Sequence, residues 1–211
     1  MAFAMTYSSL VDSIQSYAER TDSTFVARIP EFIAMAENRI ASEVHGLGFR
    51  RVVTGTFGVG SPLIDKPVRW RETAEFSFLN SLSQRVYLKQ RSYNYLRMYW
   101  PEQADTGIPA YYADYDYEHF LIAPTPSDDF TFELQYHERP DPLDSTNQTS
   151  WTTRYAPQLL LYASLLEAQT YLMRPDQLQT FTGLYQTAAQ AVQKESERRV
   201  IGDESNTRKE G

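Results

Sequence analysis

The chain has 211 residues, of which 42% are hydrophobic and 22% charged, proportions that are ordinary for one folded domain or a domain with an insertion. It has no cysteine, which excludes disulfides and thiolate metal sites, and no stretch approaches the roughly 20 apolar residues needed to cross a bilayer. A formal net charge of −7 argues against tight non-specific binding of nucleic acid, which requires a basic surface.

The N-terminal segment begins with a predicted helix. Apolar residues recur at helical spacing from Tyr7 to Ala18, and Thr6, Ser8 and Ser9 are available as N-caps. The polar run 21–23 ends this helix.

A second helix is predicted between Ile29 and Val44. Pro30 fits its first turn, where the missing N–H is not needed. Glu37 and Arg39 are expected to face away from the apolar stripe, and the glycines at 46 and 48 to end the helix.

From about residue 50 the apolar period changes from 3.6 to 2, which indicates strands. The clearest is Asp129–Glu138, in which Phe130, Phe132, Leu134 and Tyr136 point to one face. Ser92–Trp100 is predicted to be a short helix stopped by Pro101. The other strand candidates are Arg51–Val59, Val68–Trp70, Arg85–Gln90, and a hairpin formed by Ala110–Tyr117 and His119–Ala123.

Helical periodicity returns after a polar connection at 139–150. One stripe centres on Leu161, Leu165 and Leu172, and a further helix is expected to start at Pro175. Residues 202–211 have no apolar side chain, which predicts a flexible tail.

The expected fold class is therefore α+β: a helical bundle formed by N- and C-terminal helices, with a β-rich insertion between them. Residues 1–49 supply the N-terminal helices, 50–140 the insertion, 141–201 the C-terminal helices and 202–211 the tail.

Catalytic and metal-binding signals are weak, so we predict no enzyme activity and no cofactor or metal. The three histidines are not at metal-binding spacing. Asp114, Asp116 and His119 could form a carboxylate–histidine site, but a polar hairpin tip is the favoured interpretation. The glycines at 55, 58 and 60 are in the wrong order for a dinucleotide fingerprint and indicate strand twist or a turn instead.

Charge is segregated along the middle of the chain. Residues 50–100 contain nine basic and three acidic residues, whereas residues 101–150 contain eleven acidic residues and one basic residue. This asymmetry favours head-to-tail contacts between copies; the alternative is pairing within one subunit. The candidate subunit-interface residues are Arg85, Lys89, Arg91, Arg97, Asp114 and Asp116.

Basic residues and aromatic rings alternate over residues 85–100, a combination that single-strand nucleic-acid binding uses. We favour ordinary packing of these aromatics, with the charges meeting an acidic neighbour. The 14% aromatic content, with 15 Tyr and 11 Phe, is compatible both with a β-rich domain and with surfaces that a partner covers.

Several stretches, in order along nearly the whole chain, resemble phage head-to-tail adaptor proteins, and loosely the tail tubular and head-completion proteins of short-tailed phages. They include Leu10-Val-Asp-Ser-Ile14, Ile29-Pro-Glu-Phe-Ile33, Ala36-Glu-Asn-Arg-Ile40, Phe120-Leu-Ile-Ala-Pro-Thr-Pro126, Leu134-Gln-Tyr-His-Glu-Arg-Pro-Asp-Pro-Leu143 and Leu159-Leu-Leu-Tyr-Ala-Ser-Leu-Leu-Glu-Ala168.

The resemblance implies a virion structural protein that is assembled in the host cytoplasm and forms a ring, typically a dodecamer, beneath the portal. Its partners would be the portal, neighbouring copies and the next tail or nozzle protein, with DNA only as passing cargo and no membrane. The candidate portal-interface residues are Arg198, Arg199, Arg208 and Lys209. The alternative function is a carbohydrate-binding or small enzymatic tail-associated protein.

Overall fold

In the computed structural model of the chain, helices and strands separate into two compact units. One is built from the chain up to Phe49 and from Arg139 onward, and the other is Arg50–Glu138. The structure describes residues 5–207, with the side chains of all of these except Leu47 and residues 200–207. The α+β class, with sheets between N- and C-terminal helices, is confirmed.

The first unit is helical. Its helices are α1 Tyr7–Ala18, α2 Ser23–Val26, α3 Ile29–Glu43, α5 Trp151–Tyr155, α6 Pro157–Tyr171 and α7 Pro175–Thr207. Thr6 caps α1 through a capping box, because its hydroxyl accepts from the Ser9 backbone N–H at 3.2 Å and its own N–H donates to the Ser9 hydroxyl at 2.8 Å. The central helix α6 packs against α1, α3 and α7, so its apolar residues extend all round it.

The predicted orientation of Glu37 is wrong. Its side chain is only 6% exposed, inside the apolar face of α3. The reason is spacing: Ile33, Glu37, Ile40 and Val44 follow one another at intervals of four, three and four residues, which places all of them on one helix face. Arg39 lies at the edge of that face and pairs with Glu167 of α6 at 2.6 Å.

The C-terminal helix α7 continues through Thr207, so residues 202–207 of the predicted tail extend its backbone. Residues 208–211 lie outside the described part of the chain, and flexibility of the tail stays a prediction.

The second unit contains two four-stranded sheets and a short helix. Its elements are β1 Arg50–Phe57, β2 Leu63–Asp65, β3 Trp70–Leu79, β4 Arg85–Tyr87, β5 Lys89–Gln90, α4 Tyr93–Tyr99, β6 Thr106–Gly107, β7 Tyr111–Asp114, β8 His119–Ala123, β9 Thr125–Pro126 and β10 Phe130–Glu138. The sheet orders are β1-β10-β3-β4 and β2-β8-β7-β5, and β6 pairs with β9.

Aromatic rings fill the core of this unit. Phe57, Phe76 and Phe132 contact one another with ring centroids 4.9–5.6 Å apart, and Phe120 lies 5.5 Å from Phe76. Gly55 of β1 lies against the Phe132 ring, and a Cβ there would be 2.4 Å from the nearest ring atom. Glycine is therefore needed for the close approach of β1 to β10, and Gly60, with φ of 74°, occupies a turn.

The predicted strand Val68–Trp70 is wrong in its bounds. Residues 68 and 69 form a turn, and β3 starts at Trp70 and runs to Leu79. Sequence reasoning missed most of β3 because it does not alternate: Phe76, Ser77 and Phe78 are buried in succession. Its pairing with β10 also shifts register twice, which disturbs the two-residue period.

Candidate functional site

The predicted hairpin β7–β8 forms, and its tip is held together internally. The Asp116 carboxylate lies 2.9 Å from Nδ1 of His119, and this hydrogen bond lowers the pKa of Asp116 and raises that of His119. Asp114 instead pairs with Lys66 Nζ at 2.7 Å. These contacts bring together the three residues weighed as a metal site, but as separate pairs. Among the residues whose side chains the structure describes, no group of three or more metal-ligating side chains is arranged to hold an ion.

Several residues on the basic stretch 50–100 pair with acidic residues of the same unit. Arg85 Nη1 donates to Glu133 and to the Ser77 hydroxyl, at 2.8 Å each. Arg51 and Arg69 share Glu138, at 3.0 and 2.8 Å. Strands β4 and β10 flank β3, so residues distant in sequence become neighbours across the sheet. For these residues, the basic and acidic stretches pair with each other within one subunit.

The predicted interface residues therefore divide into two groups. Arg85, Asp114 and Asp116 have partners within the unit. Lys89, Arg91 and Arg97 have no carboxylate within the 4.0 Å of an ion pair among the residues that the structure describes. The second group lies on and beside α4.

Helix α4 is short and well delimited. The Ser92 hydroxyl accepts from the Tyr95 N–H at 3.3 Å as the N-cap, and Pro101 follows the C-cap residue Trp100. Only Leu96 of the helix is fully buried, against Ala113 and Leu121. The rest of the helix is held at the surface by this anchor and by ring contacts, both within the helix and with Tyr111 and Tyr115 at β7.

We call this region, whose residues are exposed or half-buried, the α4 surface. It consists of Tyr93, Tyr95, Arg97, Met98 and Tyr99 of α4, together with Lys89, Arg91 and Tyr111. Met98 is 85% exposed, and the Tyr93, Tyr95 and Tyr99 side chains are each at least 40% exposed.

Tyrosine rings order the α4 surface. The Tyr95 and Tyr99 rings stack with centroids 6.0 Å apart and planes within 9°, and the Tyr111 ring meets Tyr99 edge-on at 5.0 Å. A hydrogen bond with Tyr95 raises the pKa of the Tyr111 hydroxyl. The surface is therefore preorganised before any partner binds.

Both arginines of the α4 surface are oriented by these rings. The Arg91 guanidinium lies 5.7 Å from the centroid of Tyr95, and that of Arg97 lies 5.1 Å from the centroid of Tyr93. Arg97 Nε also donates to the Tyr93 hydroxyl at 3.0 Å. A cation–π contact at an exposed site contributes about 0.5–1 kcal/mol, enough to orient a guanidinium while leaving donors available.

The helical unit presents a different surface along α7. Phe181 and Tyr185 anchor the first half of this helix, where the Tyr185 hydroxyl donates to Glu43 at 2.6 Å and burial, followed by that bond, raises its pKa. Beyond Gln193 the described side chains are mostly exposed and charged. Arg198 is exposed, and Arg199 pairs with Glu195 at 2.6 Å on the helix surface. Arg208 and Lys209 lie outside the described residues.

Sequence reasoning missed two features of the helical unit. One is the buried carboxyl of Glu37, whose Oε2 accepts from the Leu143 N–H at 3.1 Å while Oε1 has no partner. The sequence did contain a signal for the burial of Glu37, namely its position in the apolar stripe of α3. The other is an open groove beside α7, lined in part by Tyr17, Tyr155 and Val192. Single residues from three different helices give no sequence signal for such a groove.

Comparison with known protein families identifies the family of the chain. The family model described as the SU10 adaptor protein matches residues 5–208, which includes both units. No curated protein sequence matches the chain. Among the described residues, no helix has the length and apolar character that a membrane span requires. The chain belongs to the SU10 adaptor protein family, a family of phage head-to-tail adaptors.

Proposed function

We propose that the protein forms a ring beneath the portal, joins the phage capsid to the tail and surrounds the passage for DNA. The observation that carries the proposal is the family match over residues 5–208. A phage adaptor is a virion component that oligomerises and contacts portal and tail proteins. The dodecameric ring, assembly in the host cytoplasm and DNA as passing cargo belong to the proposal.

The helical unit is proposed to contact the portal through α7. At about 1.5 Å per residue its 33 residues span about 50 Å, longer than the 15-residue helices α3 and α6 that it accompanies. Its exposed Arg198 is available to acidic side chains of a partner, and Arg199, which pairs with Glu195 at the helix surface, is proposed to exchange that pair for one with the partner. Arg208 and Lys209, further along the chain, are proposed to add to the same contact.

The second unit, Arg50–Glu138, which we call the β unit, is proposed to face the next tail component. Val68 is fully exposed and Tyr117 is 73% exposed, and both line one open hollow with Trp70. Large apolar side chains at the tips of two connections are costly to leave in water. Covering them with a partner supports a docking role for this end of the unit.

The test is co-assembly of the full-length protein with its portal, followed by electron microscopy. We expect rings or ring fragments on the portal, and failure to associate with the portal would overturn the proposal. Deletion of residues 202–211, or Arg198→Ala with Arg199→Ala, is expected to weaken attachment. Arg28→Ala with Arg154→Ala removes two exposed arginines elsewhere in the helical unit and serves as the charge-matched control. Unchanged attachment of the first variants would exclude this end of α7 from the contact.

A further inference from the structure

The basic groups of the α4 surface differ from most other cations of the β unit in having no internal counterion. Lys66, Arg51, Arg69 and Arg85 all reach a carboxylate of the same unit within 3.0 Å. Arg91 and Arg97 instead lie over tyrosine rings and, within the described part of the chain, bind only neutral acceptors. Arg91 donates to the Gln90 carbonyl, and Arg97 to the Tyr93 hydroxyl and to the side-chain oxygen of Gln103, so no described carboxylate neutralises either charge. Pairing within the unit thus leaves Lys89, Arg91 and Arg97, close together on and beside α4, as cations without a carboxylate partner among the described residues.

The side chains around these cations are those found at protein interfaces. Tyrosine, arginine and methionine are enriched at the centres of protein–protein contacts, whereas single exposed aromatics are common anywhere. The α4 surface combines three exposed tyrosines, Met98 and two oriented arginines on one short helix and its flank. Its rings also contact one another, so little ordering remains to be done when a protein partner binds.

The chain itself carries the complementary charge. The β unit has nine basic and twelve acidic residues, and the whole chain has a net charge of −7. After internal pairing, Glu102, Asp105 and Asp128 are exposed and lack a basic partner among the described residues. A cyclic ring needs two different patches on each copy, and opposite charge on those patches fixes the order of contact.

We propose that the α4 surface binds the exposed acidic residues Glu102, Asp105 and Asp128 of the neighbouring copy of this chain. This inference rests on the proposed ring. Lys89, Arg91 and Arg97 supply charge and hydrogen-bond donors, and the tyrosines and Met98 supply apolar contact area. The proposal places three of the residues predicted for a subunit interface, the basic ones without internal counterions, in the contact between copies. The other three, Arg85, Asp114 and Asp116, stay with their partners inside the unit.

The test places a photo-crosslinking residue, Tyr95→p-benzoyl-phenylalanine, in the full-length protein and irradiates assembled phage particles. We expect a ladder of adaptor multimers. Arg91→Ala with Arg97→Ala is expected to reduce the multimer yield several-fold, and Arg91→Lys with Arg97→Lys, which keeps the charge, to restore part of it. Arg28→Ala with Arg154→Ala is the charge-matched control and should leave the yield unchanged.

Each other outcome overturns the inference. A crosslink from Tyr95 to a different tail protein would assign the α4 surface to the next component, and a crosslink to DNA would assign it to the channel. Particles that contain the adaptor but give no crosslink would leave this surface in solvent. In all three cases the adaptor function stands, whereas absence of the protein from purified particles would refute the proposed function itself.

Discussion

Replacing the buried carboxyl with an amide, in Glu37→Gln, separates ionisation from packing in the helical unit. Glu37 Oε2 accepts from the Leu143 N–H, which ties the connection 139–150 to α3. Burial raises the pKa of Glu37 from 4.5 to about 7, although the hydrogen bond from Leu143 opposes the shift. The folded protein therefore favours the protonated form, which glutamine imitates without titrating.

The sign of the pH dependence follows from proton binding. Between pH 4.5 and about 7 the folded state holds a proton that the unfolded state has lost, so stability falls as the pH rises. The stabilising contribution is fully present below pH 4.5 and absent above about pH 7. At about 1.4 kcal/mol for each unit by which the folded and unfolded pKa values differ, the free energy of unfolding changes by about 3 kcal/mol in total.

Urea unfolding at several pH values, followed by the helical circular dichroism signal, measures this effect. The free energy of unfolding of Glu37→Gln, relative to the unmodified protein, should rise by about 3 kcal/mol between pH 4.5 and pH 8. Glu31→Gln is the control on the same helix, because Glu31 is exposed and pairs with Arg28 at the surface. Its difference should stay under about 1 kcal/mol at every pH. Parallel pH curves for Glu37→Gln and the unmodified protein would refute the reasoning.

Two further substitutions, each with a control, test one packing contact and one hydrogen bond. Gly55→Ala should destabilise the β unit by about 1–3 kcal/mol because its Cβ would meet the Phe132 ring. Gly183→Ala, with open space around it, should instead stabilise α7 by about 0.5–1 kcal/mol. Thermal unfolding of both variants checks the contrast, and equal effects would contradict it. Tyr185→Phe should lower the free energy of unfolding by about 1 kcal/mol through loss of the hydrogen bond to Glu43. Tyr171→Phe is the control, because its exposed side chain makes no such bond, and should be near neutral in urea unfolding. A neutral Tyr185→Phe would show that the hydrogen bond contributes nothing.

Local signals were sufficient for the longer helices, for α4 and for the strands with a regular period, whereas the short helices α2 and α5 were not predicted. Thr6 and Pro30 marked the starts of α1 and α3, Pro101 the end of α4, and the alternation of β10 identified its buried face. Each of these features depends on residues within a few positions of one another. The α+β class followed because the period changed clearly from helical to strand-like and back.

Features that depend on tertiary packing were not accessible in the same way. In β3, Phe76, Ser77 and Phe78 are buried in succession although they pair with β10 in regular register, and the two register shifts lie nearer the start of the strand. The Ser77 hydroxyl accepts from Arg85 of the neighbouring strand, a tertiary contact that no local pattern encodes. Glu37 was misplaced for a different reason: residue type was given more weight than position in the stripe. Periodicity was correct there, and the buried carboxyl is tolerated because a backbone N–H binds it.

The charge pattern shows why sequence alone left the subunit-interface question open. Arg85 and Arg91 lie six residues apart in one basic stretch, yet only Arg85 reaches a carboxylate, because β4 lies two strands from Glu133 in the same sheet. Arg91 follows β5, after the chain has left that sheet, and its nearest rings are Tyr95 and Tyr111. Strand order therefore decides which charges are neutralised within the unit and which remain for a partner. Within the β unit, the same order predicts that charge matters for assembly mainly at the α4 surface, and only weakly where the residues of the first sheet pair with one another.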